Sequence, residues 1–330
     1  MRALSVLSAC LLFSCAHADL PPSPSGPLVG FSTLTTTDPA TQRPMRIALF
    51  FPPAQPLTGQ PVQRGPWWVD ALDADPAPGA HPLIILSHGH GGSRFGHHDL
   101  ATALARAGFI VAAPEHLGDT AGDLSGVGTA RVLFGRAWQV RATIDAVLSD
   151  ARFSTVIDPQ RIGVAGFSAG GYTSLLTVGA RPDFGRLTGY CTRHPKDGEL
   201  CGEARVDPGM PSQPTSDPRV KAAFVMAPLG VFFGPGAFDA VTVPVHLAFA
   251  TADEVLLPAE NALPVREGLR TLEGVEEVAG AGHFVFLAPC PPAFAAEAPP
   301  LCRDPPGVDR ATTHARLSAS AVRFFEATLR

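Results

Sequence analysis

The most constraining feature of the sequence is a glycine-rich segment that joins an apolar run to a helix-forming run. Residues 161–165 read Arg-Ile-Gly-Val-Ala, and residues 166–170 read Gly-Phe-Ser-Ala-Gly. This G-x-S-x-G pattern needs small residues around the serine because the chain turns sharply from a strand into a helix. Such a turn lifts the hydroxyl of Ser168 above a sheet, beside the amide groups that begin the helix. The segment makes Ser168 the candidate nucleophile; the alternative is a structural serine in a glycine-rich turn.

Composition narrows the class of protein. The chain has 330 residues, 45% of them hydrophobic and 17% charged, which is enough for a sizeable core and excludes disorder by composition. Its formal net charge of −5 lacks the positive footprint of a nucleic-acid binder. The only lysines are Lys196 and Lys221, so few residues could form a Schiff base. The prolines and glycines follow no period, which argues against collagen-like and solenoid repeats.

β-branched and apolar runs alternate with helical patterns along the rest of the chain. The pattern predicts eight strands, at Val29–Thr36, Met45–Phe51, Leu83–Ser87, Phe109–Ala113, Arg161–Ala165, Val220–Met226, Val243–Ala250 and Val275–Ala279. It predicts five helices, at Leu100–Ala107, Ala130–Asp150, Ala169–Val178, Pro258–Leu272 and Asp309–Leu329. The later strands are almost continuously apolar, as in a parallel sheet covered by helices on both faces. The first two are separated by proline-containing turns and indicate an antiparallel hairpin.

These elements predict one α/β domain over residues 28–330, with a mostly parallel eight-stranded sheet, an antiparallel N-terminal hairpin and helices on both faces. Residues 19–27 are rich in proline and serine and indicate a flexible leader. Residues 55–80, which include two tryptophans, indicate a surface excursion. Residues 181–218 carry charges, prolines and two cysteines, and they follow the helix after Ser168. A loop of this length is usually functional or inserted, so we predict a cap over the site.

The first 18 residues have the features of a secretory signal. Arg2 precedes an apolar run over residues 3–15, and Ala-His-Ala at 16–18 is a cleavage pattern. The apolar run is too short to span a bilayer, which needs about 20 residues, and no later stretch qualifies. We therefore expect export to the periplasm or the medium. The alternative is a lipoprotein signal, with Cys10 or Cys15 as the lipidated residue.

Removal of the signal leaves four cysteines, Cys191, Cys201, Cys290 and Cys302. An even number in an oxidising compartment predicts two disulfides, although four cysteines allow three pairings. The local pairing Cys191–Cys201 and Cys290–Cys302 is favoured because each pair brackets a short loop rich in proline or charge. A zinc site is the alternative, but the sequence has no C-x-x-C pair.

A second glycine-rich segment follows the strand at residues 83–87. Residues 87–92 read Ser-His-Gly-His-Gly-Gly, and a strand that runs into this pattern typically supplies an oxyanion-hole donor opposite a G-x-S-x-G turn. The backbone N–H groups of His90 and Ala169 are therefore the candidate donors. Four histidines cluster in this part of the sequence, at His88, His90, His97 and His98. A metal site is the competing interpretation of this cluster, but no nearby set of acidic residues completes a ligand pattern.

A nucleophilic serine needs a base, and the base needs an orienting carboxylate. In folds with this turn the chain order is serine, acid, histidine. His283 follows the last strand in a small-residue loop and is the candidate base. Asp253 follows the preceding strand and is the candidate acid, with Glu254 as the fallback; either carboxylate could instead be a helix N-terminal charge. The other downstream histidines fall in the cap, in a strand and on the final helix, at His194, His246 and His314.

With these residues placed, the chain resembles the α/β-hydrolase superfamily, and in particular its secreted bacterial dienelactone-hydrolase-like and platelet-activating-factor-acetylhydrolase-like group. The resemblance runs from about Val29 to the C-terminus. It is carried by the strand Arg46–Pro52, Ser87-His-Gly-His-Gly-Gly, the turn Gly166–Gly171, Asp253, Gly282-His283-Phe284 and the segment from Leu287 to Arg310.

The sequence departs from the group at two points. Many relatives have histidine where this chain has Phe167, which changes the polarity near the serine but leaves the triad complete. Dienelactone hydrolases use a cysteine nucleophile, so dienelactone is not the expected substrate. Apolar residues that could line a pocket, or could simply belong to the core, are Phe167, Phe232, Phe233 and Phe284.

The resemblance implies an α/β-hydrolase fold and an exported serine esterase. It would cleave carboxylic esters of short or medium acyl chain, in a small molecule, a lipid or a polyester, without a cofactor. Three other classes remain open. An amidase or peptidase and an acyltransferase would use the same triad, whereas a non-catalytic binding protein would normally have lost one of its members.

Overall fold

A computed structural model describes residues 21–202 and 211–329. The predicted signal, residues 1–18, lies outside the described residues, as do part of the predicted leader and the central part of the predicted cap.

The described strands are β1 Val29–Thr37, β2 Pro44–Phe51, β3 Val62–Arg64, β4 Trp67–Val69, β5 Ala71–Asp73, β6 His81–Ser87, β7 Ile110–Pro114, β8 Ile157–Phe167, β9 Val220–Met226, β10 Val245–Ala250 and β11 Leu272–Val278. The described α-helices are α1 His98–Arg106, α2 Ala130–Leu133, α3 Gly135–Ser149, α4 Ala169–Thr177, α5 Arg186–Arg193, α6 Gly198–Cys201, α7 Ala262–Gly268, α8 Pro292–Glu297, α9 Pro299–Cys302 and α10 Arg310–Thr328, and His283–Phe286 form a 3₁₀-helix.

Nine of these strands form one twisted sheet in the order β11-β10-β9-β8-β6-β7-β2-β1-β5. The strands from β6 to β11 pair in parallel, whereas β2 is antiparallel to both β7 and β1. The mostly parallel sheet with an antiparallel N-terminal hairpin is thus confirmed. The short strand β5 and the strand β11 are its two edges.

The sheet has one strand more than the sequence predicted. The extra strand is β5, three residues that pair in parallel with β1, inside the stretch expected to be a surface excursion. The same stretch holds the β3–β4 hairpin, and Trp67 on β4 is buried against the ring of Phe294. Runs of three residues are too short for a periodicity argument, which explains why the pattern missed them.

Helices cover both faces of the sheet, and each face has its own hydrophobic core. One core joins the sheet to α3, α4 and α7, and it includes Trp138, Leu175 and Val265. The other joins the sheet to α1 and α10, and it includes Leu104 and Phe325. The middle strands β6, β8 and β9 are buried over their carboxyl-terminal halves, where the sequence is mainly apolar. The predicted site residues lie in the loops that follow the carboxyl ends of β6, β8, β10 and β11.

Two disulfides close short loops. The first disulfide, Cys191–Cys201, links α5 to α6, and the second disulfide, Cys290–Cys302, spans α8 and α9. They are the two local pairings that the sequence favours. Among the described residues, no helix has the length and apolar character needed to cross a bilayer.

Candidate active site

Ser168 lies at the turn between β8 and α4, at the carboxyl end of the sheet. Its backbone has φ 56° and ψ −116°, a conformation that costs a non-glycine residue about 1–3 kcal/mol. The glycines around it allow the turn to close. A Cβ atom on Gly166 would lie 2.1 Å from the carbonyl oxygen of Gly170, and one on Gly170 would lie 2.0 Å from that of Ser87. No side chain fits at either position, which is the physical basis of the G-x-S-x-G pattern here.

The three residues predicted to form a triad are brought together. Ser168 Oγ lies 3.0 Å from His283 Nε2, and His283 Nδ1 lies 2.7 Å from Asp253 Oδ2. All three side chains are buried, with 8% of Ser168 exposed. A carboxylate accepts hydrogen bonds, so it fixes the His283 tautomer with the proton on Nδ1 and leaves Nε2 to accept from the serine hydroxyl. This arrangement can withdraw a proton from Ser168 as its oxygen attacks an electrophile.

Asp253, rather than the neighbouring Glu254, faces the ring of His283. The other oxygen of Asp253 accepts the backbone N–H groups of Val255 and Leu256, at 3.0 and 2.7 Å, which fixes the carboxylate. Glu254 contacts the backbone N–H of His283 at 3.3 Å instead of the ring. The fallback residue therefore contacts the backbone of the candidate base instead of its ring.

The remaining histidines downstream of Ser168 interact with residues other than Ser168. His314 also helps to position the candidate base, His283, because its Nε2 lies 2.8 Å from the carbonyl oxygen of Val285 in the same 3₁₀-helix. The individual partners are Glu260 for His194, the ring of Phe224 for His246 and Asp99 for His314.

The two predicted oxyanion donors come from two different segments of the chain. His90 is in the loop after β6, and Ala169 is the first residue of α4, where amide groups have no partner one turn earlier in the helix. His90, Ser168 and Ala169 line the same cavity. Gly91 follows with φ 60°, a left-handed conformation that suits glycine, in a turn closed by the hydrogen bond from the Gly92 N–H to the Gly89 carbonyl oxygen at 3.1 Å. The placement fits an oxyanion hole, but the role of these amides stays a prediction.

The clustered histidines of the sequence have separate partners. His88 is buried, its Nδ1 lies 2.7 Å from the carbonyl oxygen of Gly89, and its Nε2 accepts the backbone N–H of His116. Burial lowers the pKa of His88 to about 3, so this ring is neutral. The Nδ1 of His97 lies 3.1 Å from the carbonyl oxygen of Phe286. Within residues 21–202 and 211–329, no three histidine, cysteine or acidic side chains converge as metal ligands would.

A cavity of about 120 Å³ opens beside Ser168. Its walls are mainly apolar and include side chains from α2, α4, the loop after β9 and the predicted cap, with Asp119 and Asp197 as polar members. From the predicted cap, Asp197 and Leu200 reach the cavity. The apolar lining includes Val127, Val132, Leu133, Leu200, Leu229, Phe232, Val255 and Leu256.

A larger cleft, of about 930 Å³, lies around the end of α4 and the start of β9 and contains none of the predicted site residues. It is at the amino ends of the strands. Ligands of open α/β sheets bind at the carboxyl ends, which favours the smaller cavity as the reaction site.

Of the four phenylalanines suggested as pocket residues, Phe232 lines the cavity. Phe167 packs instead against the ring of His283, with ring centroids 4.7 Å apart, and Phe233 stacks on Tyr172 in the core. Phe284 follows His283 and packs edge-on against its ring. Phe167, which departs from the pattern of the resembled group, is thus a neighbour of the candidate base. A Cβ atom on Gly89 would come within 2.9 Å of the Phe167 ring, so this packing also requires glycine there.

Sequence reasoning missed several polar residues near Ser168. Asp119 in the loop after β7 and Arg136 on α3 form a buried ion pair, and Asp197 in the predicted cap accepts a hydrogen bond from the hydroxyl of Tyr190 at 2.5 Å. None belongs to a short motif. The available signal for Arg136 was an arginine in an otherwise core-facing helix segment, which a single sequence does not distinguish from an exposed one.

Comparison with known proteins places this geometry in context. A family model described as platelet-activating factor acetylhydrolase, isoform II, matches residues 67–125, which contain the Ser87-to-Gly92 segment and Asp119 but not the three triad residues. No curated protein sequence matches the chain. Among solved structures, a ferulic acid esterase from Streptomyces cinnamoneus is similar, with a TM-score of 0.61 and 22% identity over 94% of this chain and 92% of that one. The structural similarity confirms the predicted α/β-hydrolase fold. The family-model match over residues 67–125 supports the predicted resemblance to the platelet-activating-factor-acetylhydrolase-like group.

Proposed function

We propose that the chain is an exported serine esterase that hydrolyses carboxylic esters through an acyl-enzyme. The observation that carries the proposal is the continuous hydrogen-bonded chain from Ser168 through His283 to Asp253, beside a cavity that can hold an acyl or alcohol group. The family match over residues 67–125 and the similarity to an esterase structure point the same way.

In the proposed reaction, Ser168 Oγ attacks the ester carbonyl carbon while His283 Nε2 takes the hydroxyl proton. The carbonyl oxygen becomes an oxyanion, which the N–H groups of His90 and Ala169 stabilise; one such donor is typically worth about 3 kcal/mol. His283 then gives the proton to the leaving alcohol, and the acyl group remains on the serine. A water molecule, deprotonated by His283, releases the carboxylic acid. Asp253 holds the ring and stabilises its protonated form throughout.

The cavity favours a short or medium substrate chain on one side of the ester. Its volume of about 120 Å³ corresponds to about four water molecules, so about four heavy atoms fit without rearrangement. A longer chain would have to displace the wall that Leu200 contributes. We propose that residues 181–218 act as the cap over this site, since Asp197 and Leu200 line the cavity.

Export is part of the proposal. It rests on the signal-like residues 1–18 and on the two disulfides, which persist in oxidising compartments. Expression of the full chain in a bacterium, followed by fractionation and N-terminal sequencing, tests it. A mature chain that begins at Asp19 supports a cleaved signal, whereas a lipid-modified cysteine at the N-terminus supports the lipoprotein alternative.

The decisive experiment is hydrolysis of p-nitrophenyl esters from C2 to C12 by the mature protein and its Ser168→Ala variant. We expect activity on the short esters and a loss of about 10⁵- to 10⁶-fold in kcat in the variant. Absence of activity on every ester would refute the esterase, and amide substrates and acyl acceptors would then test the amidase and acyltransferase alternatives.

Two adjacent carboxylates provide a matched pair of variants. Asp253→Asn is expected to lower kcat by about 10⁴-fold, because an amide no longer fixes the tautomer of His283. Glu254→Gln keeps an oxygen for the His283 backbone N–H and is expected to lower kcat by less than about tenfold. Equal losses in the two variants would contradict the assignment of Asp253.

A further inference from the structure

A buried ion pair, whose acidic member lines the cavity beside Ser168, takes no part in the proposed triad. Arg136 and Asp119 are both 1% exposed, and the guanidinium donates to Asp119 Oδ2. Burial raises the pKa of Asp119, but Arg136 and His90 outweigh it, so the pKa lies well below its usual range and the carboxylate is ionised. Apolar residues of similar volume stabilise a core at least as well as a buried ion pair does. The contacts of the pair suggest what else it does.

Asp119 holds the loop that carries one oxyanion donor. Its Oδ1 accepts the backbone N–H of Gly91 at 3.0 Å and lies 2.6 Å from His90 Nδ1. Because an ionised carboxylate only accepts, His90 Nδ1 carries the proton in this bond. His90 is therefore held through its own side chain and through the next peptide group, which fixes the direction of its backbone N–H.

Arg136 connects this loop to the helix that carries the other donor. Its Nη2 donates to the carbonyl oxygen of His88, and its Nε donates to Thr173 Oγ1 at 3.1 Å. The Thr173 hydroxyl in turn donates to the carbonyl oxygen of Ala169 at 2.8 Å. One rigid guanidinium thus bonds to the His90 loop directly and to the first turn of α4 through one hydroxyl.

The end of β6 and the start of α4 are also in direct contact, close to the ion pair. The carbonyl oxygen of Ser87 packs against Gly170 so closely that a Cβ there would lie 2.0 Å away. Arg136 Nη2 lies 3.3 Å from Ser87 Oγ at the same point. The separation of β6 and α4 is therefore set by direct contact and by the bonds of one arginine.

We propose that Arg136 and Asp119 are positioning residues that fix the spacing and direction of the His90 and Ala169 N–H groups. The pair acts on the oxyanion through the backbone and makes no bond to the reacting atoms. This inference rests on the proposed esterase function, because the oxyanion forms only in that reaction. Donors that are misaligned by about 1 Å lose a large part of their effect, since such a displacement can cost about 100-fold in rate.

The test replaces both charges together, so that no unpaired charge is left in the core. The variant is Asp119→Asn with Arg136→Gln. The matched control is Asp304→Asn with Arg310→Gln. This second ion pair is slightly less buried, and its arginine also donates to a backbone carbonyl, that of Leu301. The wild type and both double variants are compared by thermal unfolding, by steady-state kinetics on p-nitrophenyl butyrate and by inhibition with a trifluoromethyl ketone.

The trifluoromethyl ketone forms a tetrahedral adduct on Ser168 and so reports the oxyanion hole. We expect the Asp119/Arg136 variant to lose about 10- to 100-fold in kcat with KM nearly unchanged, and to bind the ketone more weakly by the same factor. The pH dependence of kcat/KM should keep its midpoint, because the triad is not altered. A purely structural pair would lower thermal stability in both double variants and leave kcat per folded molecule unchanged.

Hydrogen exchange provides a readout that does not need activity. We expect amides in residues 88–92 to exchange at least about tenfold faster in the Asp119/Arg136 variant than in the wild type or the control, because local opening becomes easier. If the wild type hydrolyses no ester, the proposed function fails, and this exchange comparison alone decides whether the pair positions the loop. Unchanged exchange, or a kcat equal to that of the control, overturns the inference.

A second variant covers the case in which the double variant does not fold. Arg136→Lys keeps the charge beside Asp119, but one ammonium cannot replace the planar fork that bonds Asp119, His88 and Thr173. We expect the same fall in kcat and ketone binding in a folded protein. Wild-type kcat in Arg136→Lys would overturn the inference, since the charge alone would then suffice.

Discussion

The two disulfides are expected to be equivalent for stability and different for function. Replacing both cysteines of the first disulfide with serine should change the preference of the protein among esters. The same replacement at the second disulfide should not. The physical reason is the position of the loops: the loop closed by the first disulfide contains Asp197 and Leu200, which line the cavity, whereas no residue from 290 to 302 lines it.

The stability effects can be worked out from the loop lengths. The bridged cysteines are 10 and 12 positions apart, and the chain-entropy relation gives about 2.7 and 2.8 kcal/mol for loops of that size. For a chain of this length that amounts to a fall of about 4 °C in Tm for either variant. Because the two losses are nearly equal, the second-disulfide variant is a control for general destabilisation.

The functional effect follows from the cavity wall. Without the first disulfide, Leu200 can move away, and chains longer than about four heavy atoms can enter the cavity. We expect the ratio of kcat/KM for the C8 ester to that for the C4 ester to rise by about 5- to 10-fold, in the range that one or two methylene contacts supply. Steady-state kinetics of both variants at 25 °C measure this ratio. A ratio that stays at the wild-type value, or that moves equally in both variants, would refute the assignment of this loop as a wall.

Two further predictions concern stability. Burial lowers the pKa of His88 to about 3 and that of His97 to about 4, from 6.5, so both rings take up protons on unfolding at acid pH. The free energy of unfolding should be highest above pH 6.5 and fall towards pH 4, by up to about 1.4 kcal/mol per pH unit for each ring. Urea midpoints measured at pH 7, 6 and 5 test this prediction. A urea midpoint that rises towards pH 5 would contradict it. Gly170→Ala should destabilise the fold by more than about 2 kcal/mol because of its contact with the Ser87 carbonyl oxygen, whereas Gly122→Ala, with nothing within 4 Å, should change it by less than about 0.5 kcal/mol. Similar urea midpoints for the two glycine variants would rule out the close contact.

Much of the fold could be predicted because the long strands carry continuous apolar runs. The eight predicted strands all occur, and β6 and β8 differ from their predicted ranges only at their ends. The helix predicted over residues 130–150 is interrupted at Phe134, where α2 ends and α3 begins. Periodicity does not detect such a break, because the apolar positions continue through it.

The candidate site was predictable where the local backbone conformation requires particular residue types nearby. Ser168 is set by the glycines on either side, and His283 by the small-residue loop after the last strand. Arg136 and Asp119 were not predictable, because their roles depend on contacts between segments far apart in the chain. The same holds for Phe167: only the structure places its ring against the base.

The edges of the sheet bear on how copies of the protein meet one another. An edge strand exposes unpaired backbone groups, which invite a strand from another molecule. Here β5 offers only three residues, and β11 carries Glu273, Glu276 and Glu277 along its seven. Arg316 and Arg266 bond two of these carboxylates from the flanking helices. A strand approaching β11 would bring its own backbone against this charged margin, which disfavours edge-to-edge pairing at this side of the sheet.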